Sequence, residues 1–157
     1  MARLLIAVLV AAGALYWFTH RGVSEGQVAS FYATQVQAFG KQDLHTICAQ
    51  YAPEYKGTER QVSAAGVQVV HADKDFACKN YEFLFEFKKK FDARQTDGGE
   101  LATELELAPG QVEIAKDGKS ADVHLHVHVD FGGAFVADAD GVDHLVLRDG
   151  RLLSAAS

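Results

Sequence analysis

Ala121-Asp122-Val123-His124-Leu125-His126-Val127-His128-Val129-Asp130 is the stretch that decides the fold. Apolar and polar residues alternate without a break, and alternation of period two is the pattern of a half-buried strand. Val123, Leu125, Val127 and Val129 make one face. Three imidazoles and Asp130 make the other. A strand with one dry and one wet face belongs to an antiparallel sheet covered on one side.

The neighbouring sequence has the same texture from residue 97 onward. Turn dipeptides recur: Asp97-Gly98, Pro109-Gly110, Asp117-Gly118, Gly132-Gly133, Asp140-Gly141 and Asp149-Gly150. Asp-Gly between alternating runs is a strong hairpin signal. The runs between these dipeptides predict strands over about 100–107, 111–116, 120–131, 142–148 and 151–156. Asp138 to Asp143 reads as one of the hairpin turns. It resembles a calcium loop only superficially, because it lacks the later bidentate Glu.

Upstream the period changes. Ser24 and Gln27 form a capping box, and Val28, Phe31, Tyr32, Val36 and Phe39 follow at helical spacing. The spacing predicts helices over about 25–39, 43–52 and 73–93, with Asp43 capping the second. Residues 54–60 read as a loop, and 62–70 fit either a helical turn or a short strand. Helices first and a meander afterwards make an α+β domain, its helices packed on a curved antiparallel sheet.

Residues 1–21 are of another kind. Leu4 to Thr19 is a run of 16 uncharged, mostly apolar residues between Arg3 and His20-Arg21. As a helix it would span roughly 24 Å, against about 30 Å of hydrocarbon. Tyr16 and Trp17 suit an interfacial belt, and Ala12-Gly13-Ala14 offers a signal cleavage site. Both an uncleaved anchor, the favoured reading, and a cleaved signal send residues 22–157 across a membrane. Cys48 and Cys78 are the only cysteines. An exported pair is expected to form a disulfide, closing a loop worth roughly 3–4 kcal/mol.

Composition narrows the function classes. Hydrophobic residues make up 48% of the chain, too many for disorder. The net charge is -6, with 21 acidic against 15 basic residues, which speaks against a nucleic-acid partner. Lys88-Lys89-Lys90 reads as the solvated side of an element.

The order of elements resembles the nuclear transport factor 2-like superfamily, a cone-shaped sheet wrapped around a long helix. The likeness covers about residues 24–156. It is carried by Phe31-Tyr32 and by the link Gly40-Lys41-Gln42-Asp43-Leu44. The strand opening Lys119-Ser120-Ala121-Asp122-Val123 and the closing hairpin Leu145 to Leu153 add to it. The resemblance implies a cavity under the first helix, with Phe31, Tyr32, Phe83 and Phe87 as its candidate lining. Together with the apolar run at 4–19, the expectation is an inner-membrane, single-pass protein with a periplasmic domain, or a secreted one after signal cleavage. A ligand-binding or interaction module is the expected role, with a small apolar ligand, or with a homodimer or protein partner through the sheet. The alternative is an isomerase, dehydratase or hydrolase using acid–base residues of the cavity. No cofactor is expected.

Two groups of residues bear on chemistry. His124 and His126, with His144 from the next strand, are weak zinc candidates, since H-x-H puts two imidazoles on one face. If helices cover the Val/Leu face, the imidazoles instead face solvent or a second subunit. The residue types available for acid–base work are Tyr32, Asp43, His45, Tyr51 and Asp130.

Overall fold

Ser24 opens the first helix with a reciprocal cap. Its hydroxyl accepts from the Gln27 amide at 3.3 Å, and its own amide donates to Gln27 Oε1 at 2.9 Å. Two otherwise unpaired donors are thereby satisfied. The computed structural model describes residues 22–63, 66–93, 102–132 and 136–157. Residues 1–21, and the anchor or signal expected there, lie outside the described residues, as does Asp97-Gly98. Among the described residues no helix is long and apolar enough to cross a membrane.

Helix α1 spans Glu25–Gly40 and buries Val28, Phe31, Tyr32, Ala38 and Phe39 on one face. Gln42 takes a left-handed turn at φ 55°. Asp43 then caps α2, Leu44–Ala49, accepting from the Thr46 amide at 3.0 Å. Hydrogen bonds from the Thr46 hydroxyl and amide hold the Asp43 carboxyl below its usual range. α2 stops short of the expected residue 52, because Tyr51 begins a strand.

Among the described residues six strands follow, with one helix among them: β1 Tyr51–Ser63, β2 Gly66–Asp73, α3 Lys74–Asp92, β3 Thr103–Ile114, β4 Ser120–Phe131, β5 Val136–Arg148 and β6 Arg151–Ala156. They form one sheet in the order β2-β1-β6-β5-β4-β3. Every neighbouring pair is antiparallel except β1 with β6, which run parallel.

Three expectations are corrected here. The expected loop at 54–60 is part of β1. Tyr55 and Gly57 face inward between exposed Glu54, Lys56 and Thr58, so the strand alternation was present but masked by charge. Pro109-Gly110 does not turn the chain. β3 continues through it, skipping one residue of register between Pro109 and Val112. An edge strand tolerates a proline at such a bulge, because its missing N–H has no partner to disappoint. Asp140-Gly141 is no hairpin either. Asp140 pairs with His126 and Gly141 with Leu125 in an unbroken β5. The true closing hairpin is Asp149-Gly150, with φ 49° and 74°, the left-handed pair that suits the twist of the flanking strands.

α1 lies across the inner face of the sheet. Val28, Phe31 and Tyr32 pack with Ala121, Val123 and Leu145. Farther along, Phe39 and Ile47 pack with Leu105 and Phe131. The entry end of α1 is pinned where the Val23 amide donates to the Gly118 carbonyl at 2.7 Å. A Cβ on Gly22 would sit 2.9 Å from that oxygen, so the approach requires glycine. α3 has no fully buried residue. It leans on the second cluster through Tyr81, Leu84, Phe85 and Phe91. A disulfide between Cys48 and Cys78, Cα atoms 5.6 Å apart, ties it to α2.

Candidate ligand cavity

Between α1 and the sheet the two layers do not close completely, and a cavity of about 270 Å³ remains. Its floor comes from the inward positions of β3 and β4: Leu105, Leu107, Leu125, Val127 and Val129. Three of these belong to the alternating stretch that opened the sequence analysis. α1 contributes Phe31, Gln35 and Phe39, and α3 closes over with Tyr81 and Leu84. The first strand and the residue before it add Gln50, Tyr51 and Tyr55.

Asp143 is the charged side chain in this wall. It points inward from β5 and is only 7% exposed. The Tyr32 hydroxyl donates to Asp143 Oδ2 at 2.9 Å, and the Ser154 hydroxyl donates to Oδ1 at 2.6 Å. Burial raises the Asp143 carboxyl above its ordinary value, and the two hydroxyl donors only partly offset this. Removal from water disfavours the charged form of a carboxyl, which is the direction seen.

Three phenols surround the same space. Tyr81 accepts from Gln35 Nε2 at 3.3 Å, and Tyr55 shares a hydrogen bond with Ser157 Oγ at 2.5 Å. Burial pushes the Tyr51 and Tyr81 hydroxyls above the usual phenol range. Gln50 donates through Nε2 to the Phe31 carbonyl at 2.9 Å. Its Oε1 is shielded from solvent and has no hydrogen-bond partner. A buried acceptor without a donor is costly.

The structure places the four expected lining residues differently. Phe31 lines the cavity. Tyr32 is 1% exposed and acts through its bond to Asp143 rather than as a wall. Phe83 and Phe87 are corrected: they lie on the outer side of α3, 69% and 41% exposed. The face of α3 that turns inward carries Tyr81 and Leu84 instead, and Phe83, two residues from Tyr81, points in a different direction. Of the acid–base types, Tyr51 is in the wall, Asp43 is a cap, His45 is exposed and Asp130 lies among the outward positions of β4. Asp143 was not anticipated. Its signal was the inward phase shared with Leu145 and Leu147, hidden when Asp138 to Asp143 was read as a turn.

The imidazoles sit on the outer face of the sheet. His126 Nδ1 lies 2.9 Å from Asp140 Oδ1, His128 Nδ1 2.7 Å from Asp138 Oδ1, and His144 Nδ1 2.5 Å from Asp122 Oδ1. His124 has no carboxylate opposite it; its β5 neighbour is Val142. The cross-strand register gives each of the other three a carboxylate, and Asp138 Oδ1 also lies 3.7 Å from His126 Nε2. Among the described residues no group of three or more such side chains is placed to hold a metal ion. The Asp138 hydrogen bond raises the His128 imidazole above its ordinary value.

No profile of a known protein family matches the chain. No curated protein matches it either. Solved structures do. A nuclear transport factor 2-like protein of unknown function from Silicibacter pomeroyi is 15% identical, with a TM-score of 0.56 over 83% of this chain and 89% of that one. A candidate scytalone dehydratase from Novosphingobium aromaticivorans is 10% identical, with a TM-score of 0.58 over 83% and 78% of the two chains. A cystatin-like-fold protein of unknown function from Nostoc punctiforme gives 11% and 0.51, over 83% and 84%.

Proposed function

Starting from a nuclear transport factor 2-like fold, we propose that this protein is a binding module for a small, mostly apolar molecule held in the cone cavity. One observation carries the reading: an apolar cavity of about 270 Å³ with a hydrogen-bonded carboxylate in its wall. Natural small-molecule sites share that make-up, apolar walls with a few placed polar groups. The volume suits a small molecule of one ring, or two fused rings, with a short chain. The apolar run 4–19 and the Cys48–Cys78 disulfide support a place beyond a membrane, the domain being tethered at the inner membrane and facing the periplasm. The exposed outer face of the sheet is available to a protein partner or a second copy.

The experiment is a titration of the full chain, in mild detergent with its disulfide formed, against a neutral naphthalene-type fluorophore. Saturable binding at one site per chain is the expected result. Absence of saturable binding contradicts the reading.

Asp143 favours a second reading, proton transfer on a bound substrate. A carboxyl raised by burial is suited to give and take protons near working pH. The structural likeness to a candidate dehydratase is compatible with it. Turnover of a bound hydroxy-carbonyl compound that disappears in Asp143→Asn, with binding retained, would establish it; turnover that survives the substitution would exclude it.

A further inference from the structure

Two polar groups of the cavity have unfilled acceptor capacity. Gln50 Oε1 is buried and has no donor. Asp143 lines the cavity with a carboxylate that accepts from two hydroxyls and retains further lone pairs. Ser154 joins the two residues: its hydroxyl donates to Asp143, and its amide donates to the Gln50 carbonyl at 2.8 Å. The Gln50 backbone carbonyl and the Asp143 carboxylate are thus each one hydrogen bond from Ser154, and both residues line the cavity.

Among the described residues the wall holds no cation to balance them: none of the lining residues is a lysine, arginine or histidine. Lys74 touches the wall residue Tyr51, but through its backbone carbonyl, at 2.7 Å. His144, next to Asp143 in sequence, is on the opposite face and paired with Asp122. A carboxylate removed from water without a counter-charge is expensive. A ligand that brings the charge removes that cost.

The rest of the wall suits the same ligand. Phe31, Phe39, Tyr51, Tyr55 and Tyr81 supply five aromatic rings around the space. Aromatic faces attract organic cations, most strongly away from water. An anionic ligand would meet Asp143 and the Gln50 carbonyl oxygen with nothing to neutralise it.

We propose that the cavity takes a small primary amine in its protonated form, the ammonium donating to Asp143 and to Gln50 Oε1 and the apolar body lying against the aromatic wall. This rests on the cavity reading above and names the class of its ligand. Ionisation of the bound amine and of Asp143 is then mutual: each charge stabilises the other.

The test is calorimetric titration of the full chain with three compounds that share one apolar body: phenethylamine, phenethyl alcohol and hydrocinnamate. The amine is expected to bind, the alcohol about tenfold or more weakly, and the carboxylate not measurably. Asp143→Asn should bring the amine down to the level of the alcohol, and Gln50→Met should weaken the amine more than the alcohol. Thermal melts of both variants check that they fold. An alcohol that matches the amine, or an amine affinity indifferent to Asp143→Asn, overturns the inference and leaves the cavity reading standing. Binding of the neutral fluorophore without binding of any of the three does the same. If the fluorophore also fails to bind, both readings fall.

Discussion

The Tyr32 hydroxyl donates to Asp143 Oδ2 at 2.9 Å, joining the central helix to a strand 111 residues later in the chain. It is the polar tie between α1 and β5, inside an otherwise apolar contact. Burial and the neighbouring Asp143 carboxylate both push the Tyr32 phenol up, so it stays a donor at all working pH. Tyr32→Phe keeps the ring and deletes the donor. The expected loss of stability is about 1–2 kcal/mol, read as a lower midpoint in denaturant. An unchanged midpoint would show that the bond does not hold the helix.

Asp143 sets a pH dependence. Its folded value lies above the ordinary carboxyl value, because burial disfavours its charge. In the interval between those two values the folded protein holds a proton that the unfolded chain releases. Stability therefore falls as pH rises through that interval, and the full penalty applies above it. Asp143→Asn removes the titrating group. Melts over about pH 4–8 should show a shallower slope, and a midpoint at the alkaline end no lower than that of the wild type. A variant with the wild-type slope would place the dependence elsewhere.

His128 contributes on the outer face, and with the same sign. Its hydrogen bond to Asp138 raises its folded value above 6.5, and nearby Asp130 and Glu104 add to this. The stabilisation is fully present below the unfolded value and is lost as pH rises through the folded one. Asp138→Asn should lower the His128 midpoint in an NMR titration of the ring. No change would mean that Asp138 is not its partner in solution. Because the group is exposed, the effect on global stability is small.

The Cys48–Cys78 disulfide bears on both stability and binding. Cys48 is two residues before Gln50, and Cys78 is one helical turn before Tyr81, and both of these line the cavity. None of α3's residues is fully buried, so the bond adds to the partial packing of Tyr81, Leu84, Phe85 and Phe91 on the core. Replacing both cysteines by serine should cost roughly 3–4 kcal/mol and weaken fluorophore binding beyond what the lost folded fraction explains. Binding that tracks the folded fraction alone would show that α3 stays closed without the bond.

How legible this was depended on whether the local pattern and the tertiary pairing agreed. The stretch from Val123 to Val129 gave its face assignment directly, because every second residue is apolar. The capping box at Ser24 and the paired cysteines were equally plain. β1 was missed, because Glu54, Lys56, Glu59 and Arg60 hide an inward phase that only its neighbours β2 and β6 reveal. Asp140-Gly141 misled for the converse reason: a strong local turn signal was overridden by pairing with His126 and Leu125. That error concealed Asp143, the residue on which the chemistry of the cavity turns. Phe83 and Phe87 were placed inside because α3 carries aromatics on two faces, and nothing in the spacing says which face meets the core.

Val127→Trp is the most direct test of the central claim, that the space under α1 is where the ligand sits. Val127 lies in the cavity floor and is not fully buried, so a larger ring there fills the space rather than splitting the core. The measurement is fluorophore binding by the wild type and the variant, with circular dichroism to confirm the fold. The account predicts a folded variant that no longer binds. A folded variant that binds as the wild type does would contradict it.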